Sequence, residues 1–261
     1  MNTVHSSDGT TIAFDQSGEG PPIILVDGAF CYRTFGPMPK LAPLLAPHFT
    51  VFSYNRRGRG DSGDTKPYAV EREIEDLAAL LKEAGGSAYV FGTSSGAALA
   101  LKAADHGLNI TKLALYEPPF MVEQDGPRPP ADAEAQLTAM IAADCRGKAV
   151  KCYLTKVMGA PSLFVTMMQF SPDWSNLKGV ANSLPYDIAI MGDFFLPTKQ
   201  LASVVVPALV IGGEKSDVRL RHAVPAVANA LPNAKQRMLV GQSHNVSMKV
   251  LAPVLVEFFQ G

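Results

Sequence analysis

Polar and apolar positions alternate from Thr10 to Asp15 after a turn at Asp8-Gly9, which predicts an edge strand. Ile23 to Val26 is apolar at every position, the pattern of a strand buried on both faces of a parallel sheet. Phe49 to Tyr54, Tyr89 to Phe91, Leu113 to Tyr116, Val204 to Ile211 and Lys235 to Val240 are further predicted strands. Between them lie helical patterns. Val70 to Ala84 carries Ile74, Leu77, Leu80 and Leu81 at helical spacing, with acids early and Lys82 late, as the helix dipole favours. Helices are also predicted after Gly96, over Leu220 to Leu231 and over Pro253 to Phe259. Strand and helix in alternation call for an α/β fold, a mostly parallel central sheet flanked by helices.

The alternation stops between residues 118 and 203. Pro127, Pro129 and Pro130 stiffen the exit, and helical stretches follow at Asp132 to Ala143 and Lys148 to Met158. Met140, Met158, Met167, Met168, Trp174, Phe194 and Phe195 enrich this segment in flexible and aromatic side chains. Such residues can shape an apolar pocket over a sheet edge, although most must simply pack the segment. The chain therefore divides into a core, residues 1–117 and 204–261, and a helical insertion, residues 118–203.

Composition narrows the class of partner. A formal net charge of -1 over 261 residues offers no field to gather nucleic acid or an anionic membrane. No apolar run reaches membrane-spanning length and the polar start is unlike a signal peptide, so the expected location is cytoplasmic. Cys31, Cys145 and Cys152 form no C-x-x-C pair; they are expected to be free thiols, with no metal site. The arginines and glycines of Asn55-Arg56-Arg57-Gly58-Arg59-Gly60-Asp61 have no aromatic platform beside them. They read as a structural loop tied by arginine to backbone carbonyls. The expected partner is a small, apolar molecule.

The chemistry centres on Gly92-Thr93-Ser94-Ser95-Gly96, where a strand meets a helix. The G-x-S-x-G pattern holds its serine at a sharp bend that only small neighbours allow, which makes Ser94 the candidate nucleophile. An oxyanion formed there would meet the helix N-terminus and the N–H of Ser95. The turn Asp27-Gly28-Ala29-Phe30 ends a buried strand, and its Ala29 N–H is the candidate second donor. Gly28, Phe30 and Trp174 are the expected substrate contacts. A serine hydroxyl needs a base, and His244, in the loop between the last strand and the last helix, is the candidate.

These motifs, in this order, resemble those of the α/β-hydrolase superfamily: the elbow at Ser94, the turn at Asp27, the arginine–glycine turn and the late His244. The resemblance spans essentially the whole chain and implies an α/β-hydrolase fold with residues 118–203 as a cap. In Asp27-Gly28 and in the Gly-x-Ser-Ser-Gly elbow the chain is further similar to fungal hydrolases that open the macrolactone of zearalenone. The family's acid commonly follows the strand ending near Gly213, where Asp217 falls one residue late. Glu117, ending the strand after the elbow helix, matches the placement in the zearalenone hydrolases and some haloalkane dehalogenases, and is preferred. The resemblance implies a cofactor-free serine hydrolase cleaving esters or lactones. Carbon–carbon bond hydrolysis and perhydrolysis would use the same residues, and a non-catalytic ligand-binding role would keep the fold alone.

Overall fold

The structure, a computed structural model, describes residues 1–122 and 128–261. Pro127 of the expected stiff exit lies outside the described residues. The described strands are β1 (Asn2–His5), β2 (Thr11–Ser17), β3 (Pro22–Val26), β4 (Thr50–Tyr54), β5 (Ala88–Thr93), β6 (Ile110–Tyr116), β7 (Ala208–Gly213) and β8 (Ala234–Leu239). They form one sheet in the order β1-β2-β4-β3-β5-β6-β7-β8. From β4 onward neighbours run parallel; β1–β2 and β2–β4 are antiparallel. The expected edge strand at Thr10 to Asp15 is thus covered: β2 pairs with β4 on one side and with the short β1 on the other.

Strand alternation sorts the apolar runs onto two faces. Ile23, Leu25, Val51, Phe91 and Ile211 pack against α1 (Met38–Leu45) and α11 (Met248–Gln260). Ile24, Val26, Phe52, Val90 and Val210 pack against α2 (Val70–Glu83), α3 (Ser95–Asp105) and α10 (Val218–Ala230). Both faces being covered is the reason these strands carry no charged residue and are largely apolar. α11 starts earlier than Pro253 because Leu251 and Ala252 are also buried in its interface.

Between β6 and β7 the chain forms α4 (Ala133–Ala142), α5 (Arg146–Cys152) continued by a wide turn over Tyr153–Val157, α6 (Ser162–Met168), α7 (Trp174–Gly179), α8 (Leu184–Met191) and α9 (Thr198–Leu201). Leu137, Ala149, Val150, Leu177, Ala181 and Leu184 give this segment its own core, and the core residue that joins it is Phe30. Part of the segment's apolar content faces outward: Leu163, Phe164, Met167 and Phe170 are exposed.

Candidate active site

β5 and β6 run in parallel register, Thr93 opposite Tyr116, so the residues that follow them emerge side by side. Those residues are Ser94 and Glu117. Ser94 sits at φ 53 and ψ -127, its N–H donating to the Tyr116 carbonyl at 2.9 Å. Positive φ in a residue with a Cβ costs on the order of 1–3 kcal/mol and is kept only where its surroundings impose it. Here the glycines impose it. A Cβ on Gly96 would lie 2.4 Å from the Val26 carbonyl oxygen, and one on Gly92 would lie 2.7 Å from the Ala97 Cα. α3 consequently starts hard against the ends of β3 and β5.

Glu117 is fully buried and also has positive φ, 47°. Its Oε1 accepts the Gly213 N–H at 2.7 Å, and its Oε2 lies 2.7 Å from His244 Nδ1. A carboxylate only accepts, so Nδ1 carries the proton, and in the neutral ring Nε2 is left with the basic lone pair. Among the bonds that hold the loop bearing His244, Tyr116 Oη donates to the Ser243 carbonyl at 2.6 Å, and Lys215 N–H to the Gln242 carbonyl at 2.7 Å.

The other candidate acid, Asp217, has different partners. Asp217 is the N-cap of α10, accepting the Arg219 N–H at 3.0 Å and pairing with the Arg219 side chain at 3.0 Å. Its carboxylate is exposed and committed to the helix end, whereas that of Glu117 is buried against the imidazole.

At the turn after β3, a Cβ on Gly28 would approach the Ser94 Cβ to 3.0 Å, so this turn and the elbow touch. Ala29 follows Gly28, and Ser95 opens α3. Phe30, at φ 66, is buried edge-on against the ring of Tyr153 at 5.3 Å, beneath the helical segment. Trp174, expected to contact substrate, lies elsewhere: it is partly buried in a surface cleft of about 670 Å³ formed with Arg146, Lys151, Gln169 and Lys178. That cleft is lined by residues of the helical segment alone.

Asp27 is buried with its Oδ1 lacking a hydrogen-bond partner, and burial pushes its carboxyl up to about 7 against the pull of Arg59 and Arg56. Around it the three arginine side chains of the turn are buried. Arg56 binds Glu73 through two nitrogens at 2.7 and 2.8 Å and reaches the Asp27 carbonyl at 3.3 Å. Arg59 donates to the Gly28 carbonyl at 2.6 Å, the Cys31 carbonyl at 3.0 Å and Ser183 Oγ at 3.0 Å. The loop is tied to carbonyls as expected, and to carboxylates besides.

One residue went unforeseen. Asp187 of α8 is fully buried and accepts from Arg56 Nη1, Arg59 Nη2 and Ser95 Oγ, each at 2.7 Å. Burial alone would raise its carboxyl, but the two guanidiniums and these hydrogen bonds hold it below the usual carboxylate range. The sequence does carry a signal for it: a single charge inside the otherwise apolar Leu184–Met191 run can be buried only with partners.

A strained serine at a strand–helix elbow, a carboxylate–histidine pair beside it and a mostly parallel sheet define an α/β protein of hydrolase type. The chain belongs to the α/β-hydrolase family, whose sequence profile matches residues 23–251. It is similar over 99% of its length, with 52% identity and a TM-score of 0.93, to all of an α/β hydrolase from Sphaerobacter thermophilus. An enol-lactonase from Burkholderia xenovorans shares the fold over 100% of both chains at 20% identity and a TM-score of 0.73. The uncharacterized hydrolase YraK of Bacillus subtilis is 38% identical over 100 residues, 36% of this chain and about a third (35%) of that protein.

Proposed function

We propose that the protein hydrolyses an ester or lactone of a mainly apolar small molecule, with Ser94 as nucleophile, His244 as base and Glu117 as the acid that orients it. The 2.7 Å bond between Glu117 and His244 Nδ1 carries this reading, because it leaves Nε2 basic in the loop that faces the elbow edge of the sheet. Nε2 takes the Ser94 hydroxyl proton as Oγ attacks the carbonyl carbon. The N–H groups of Ala29 and Ser95 stabilise the resulting oxyanion. Collapse breaks the ester carbon–oxygen bond, and the departing alkoxide takes the proton from Nε2. Water, deprotonated by the same nitrogen, then attacks the acyl carbon; the acyl–Oγ bond breaks, Ser94 Oγ takes the proton back from Nε2, and the acid is released.

The apolar substrate class is supported by Phe30 and Tyr153, which bring aromatic surface to the junction of turn and cap. Likeness to the zearalenone hydrolases at Asp27-Gly28 and Gly92-Thr93-Ser94-Ser95-Gly96 supports the lactone, and the fold shared with an enol-lactonase accommodates it. A fluorophosphonate probe followed by peptide mass spectrometry tests the mechanism without knowledge of the natural substrate. Labelling of Ser94 that is lost in Ser94→Ala, in His244→Ala and on heat unfolding is the expected result. An unlabelled Ser94 in folded protein rejects the mechanism and favours a ligand-holding role.

A further inference from the structure

We propose that Asp187 is a positioning residue for the oxyanion hole, joining a cap helix to both of its donors; this rests on the hydrolase reading above. A trans peptide directs its C=O and N–H to opposite sides, so whatever grips the carbonyl of one residue also aims the N–H of the next. The Ala29 N–H belongs to the peptide whose carbonyl, that of Gly28, is gripped by Arg59 at 2.6 Å. The Ser95 N–H belongs to the peptide whose carbonyl, that of Ser94, accepts from Ala97 N at 2.9 Å and Ala98 N at 3.3 Å inside α3. Each donor is the far end of a pinned peptide unit.

Asp187 meets the first pin and the residue that carries the second donor. Its Oδ2 holds Arg59 Nη2, the other arm of the guanidinium that grips Gly28. Its Oδ1 holds the Ser95 hydroxyl, fixing the residue that carries the second donor. The same oxygen takes Arg56 Nη1, and Arg56 reaches the Asp27 carbonyl one peptide upstream. A planar guanidinium shared between a carboxylate and a carbonyl has little freedom to turn. The charge of Asp187 near the hole is offset by the two guanidiniums, so it orients the donors without opposing the anion they receive. Alignment of the hole therefore depends on a side chain of the cap, contributed far along the chain from the turn and the elbow.

The test compares Ser95→Ala, Asp187→Asn and the double variant with the parent, using p-nitrophenyl esters and the rate of fluorophosphonate labelling. Ser95→Ala keeps the backbone donor and deletes one bond to Asp187, so it decides the question even where Asp187→Asn fails to fold. The expected result is a fall in kcat of about tenfold to a hundredfold for each folded variant, with KM within about threefold and labelling slowed in parallel. The double variant should fall little further, since both substitutions break one assembly. Folded variants that keep the parent kcat, or that lose only KM, overturn the positioning role while the hydrolase reading stands. A parent inert to both ester and probe overturns the hydrolase reading and the positioning role together.

Discussion

Asp27 holds a proton near neutrality because its carboxyl is buried and Oδ1 has no partner. An aspartate in the unfolded chain releases its proton near pH 4. Between about pH 4 and 7 the folded state therefore binds a proton that the unfolded state has lost, and stability drains away as the pH rises through that window. Asp27→Asn should abolish this drain, gaining on the parent by on the order of 2–4 kcal/mol from pH 5 to 8. Denaturant melts at a series of pH values check it, and parallel curves would count against it. Glu117 and Asp217 separate by role: Glu117→Gln should lower kcat by about 10³- to 10⁴-fold. Asp217→Ala should leave turnover intact and cost about 1 kcal/mol of stability. Steady-state kinetics and unfolding, measured on both, distinguish them. The residues around Ser94 were readable because glycine spacing encodes a steric need. The choice between acids was not, since a one-residue offset after a strand decides whether a side chain faces the site or the next helix. Asp187 was hidden for a different reason: its partners lie more than 90 residues away in sequence.

The buried parallel strands were plain in the sequence because a strand covered on both faces favours apolar residues at nearly every position. β1, with exposed residues, and α1, interrupted by Pro39 and Pro43, give little local signal; α1 forms because Met38, Leu41 and Leu45 are buried against the sheet and α11. Tertiary burial overrides propensity there. The elbow is the element with least tolerance. Gly96→Ala would drive a methyl group into the Val26 carbonyl at 2.4 Å and the Asp27 carbonyl at 2.5 Å, both backbone. Displacement of α3 from β3 should cost about 2–3 kcal/mol and suppress probe labelling of Ser94. A variant with parental stability and labelling would contradict this account of the elbow.

The helical segment between β6 and β7 joins the core unevenly. α8 is locked by Asp187 and by the stack of Tyr186 on Tyr68, with ring centroids 3.7 Å apart, while Asn182 donates to the Gly58 carbonyl at 2.7 Å just before it. α6 presents Leu163, Phe164 and Met167 outward. Amide hydrogen exchange should accordingly be slower over Leu184–Met191 than over Ser162–Met168; equal protection would mean that the helical segment opens as one body, and the reverse order would contradict the lock at α8. The seam also bears on how the chain is made. Arg59 and Asp187 form an ion pair at 2.7 Å across 128 residues of sequence, so a ribosome finishes the arginine turn long before it delivers that carboxylate. A nascent chain that closed its first strands early would seal guanidiniums away from water with a partner still unsynthesised, a costly state. The turn must stay wet until α8 emerges, and a chain with the helical segment excised would leave the Arg59 guanidinium without that carboxylate.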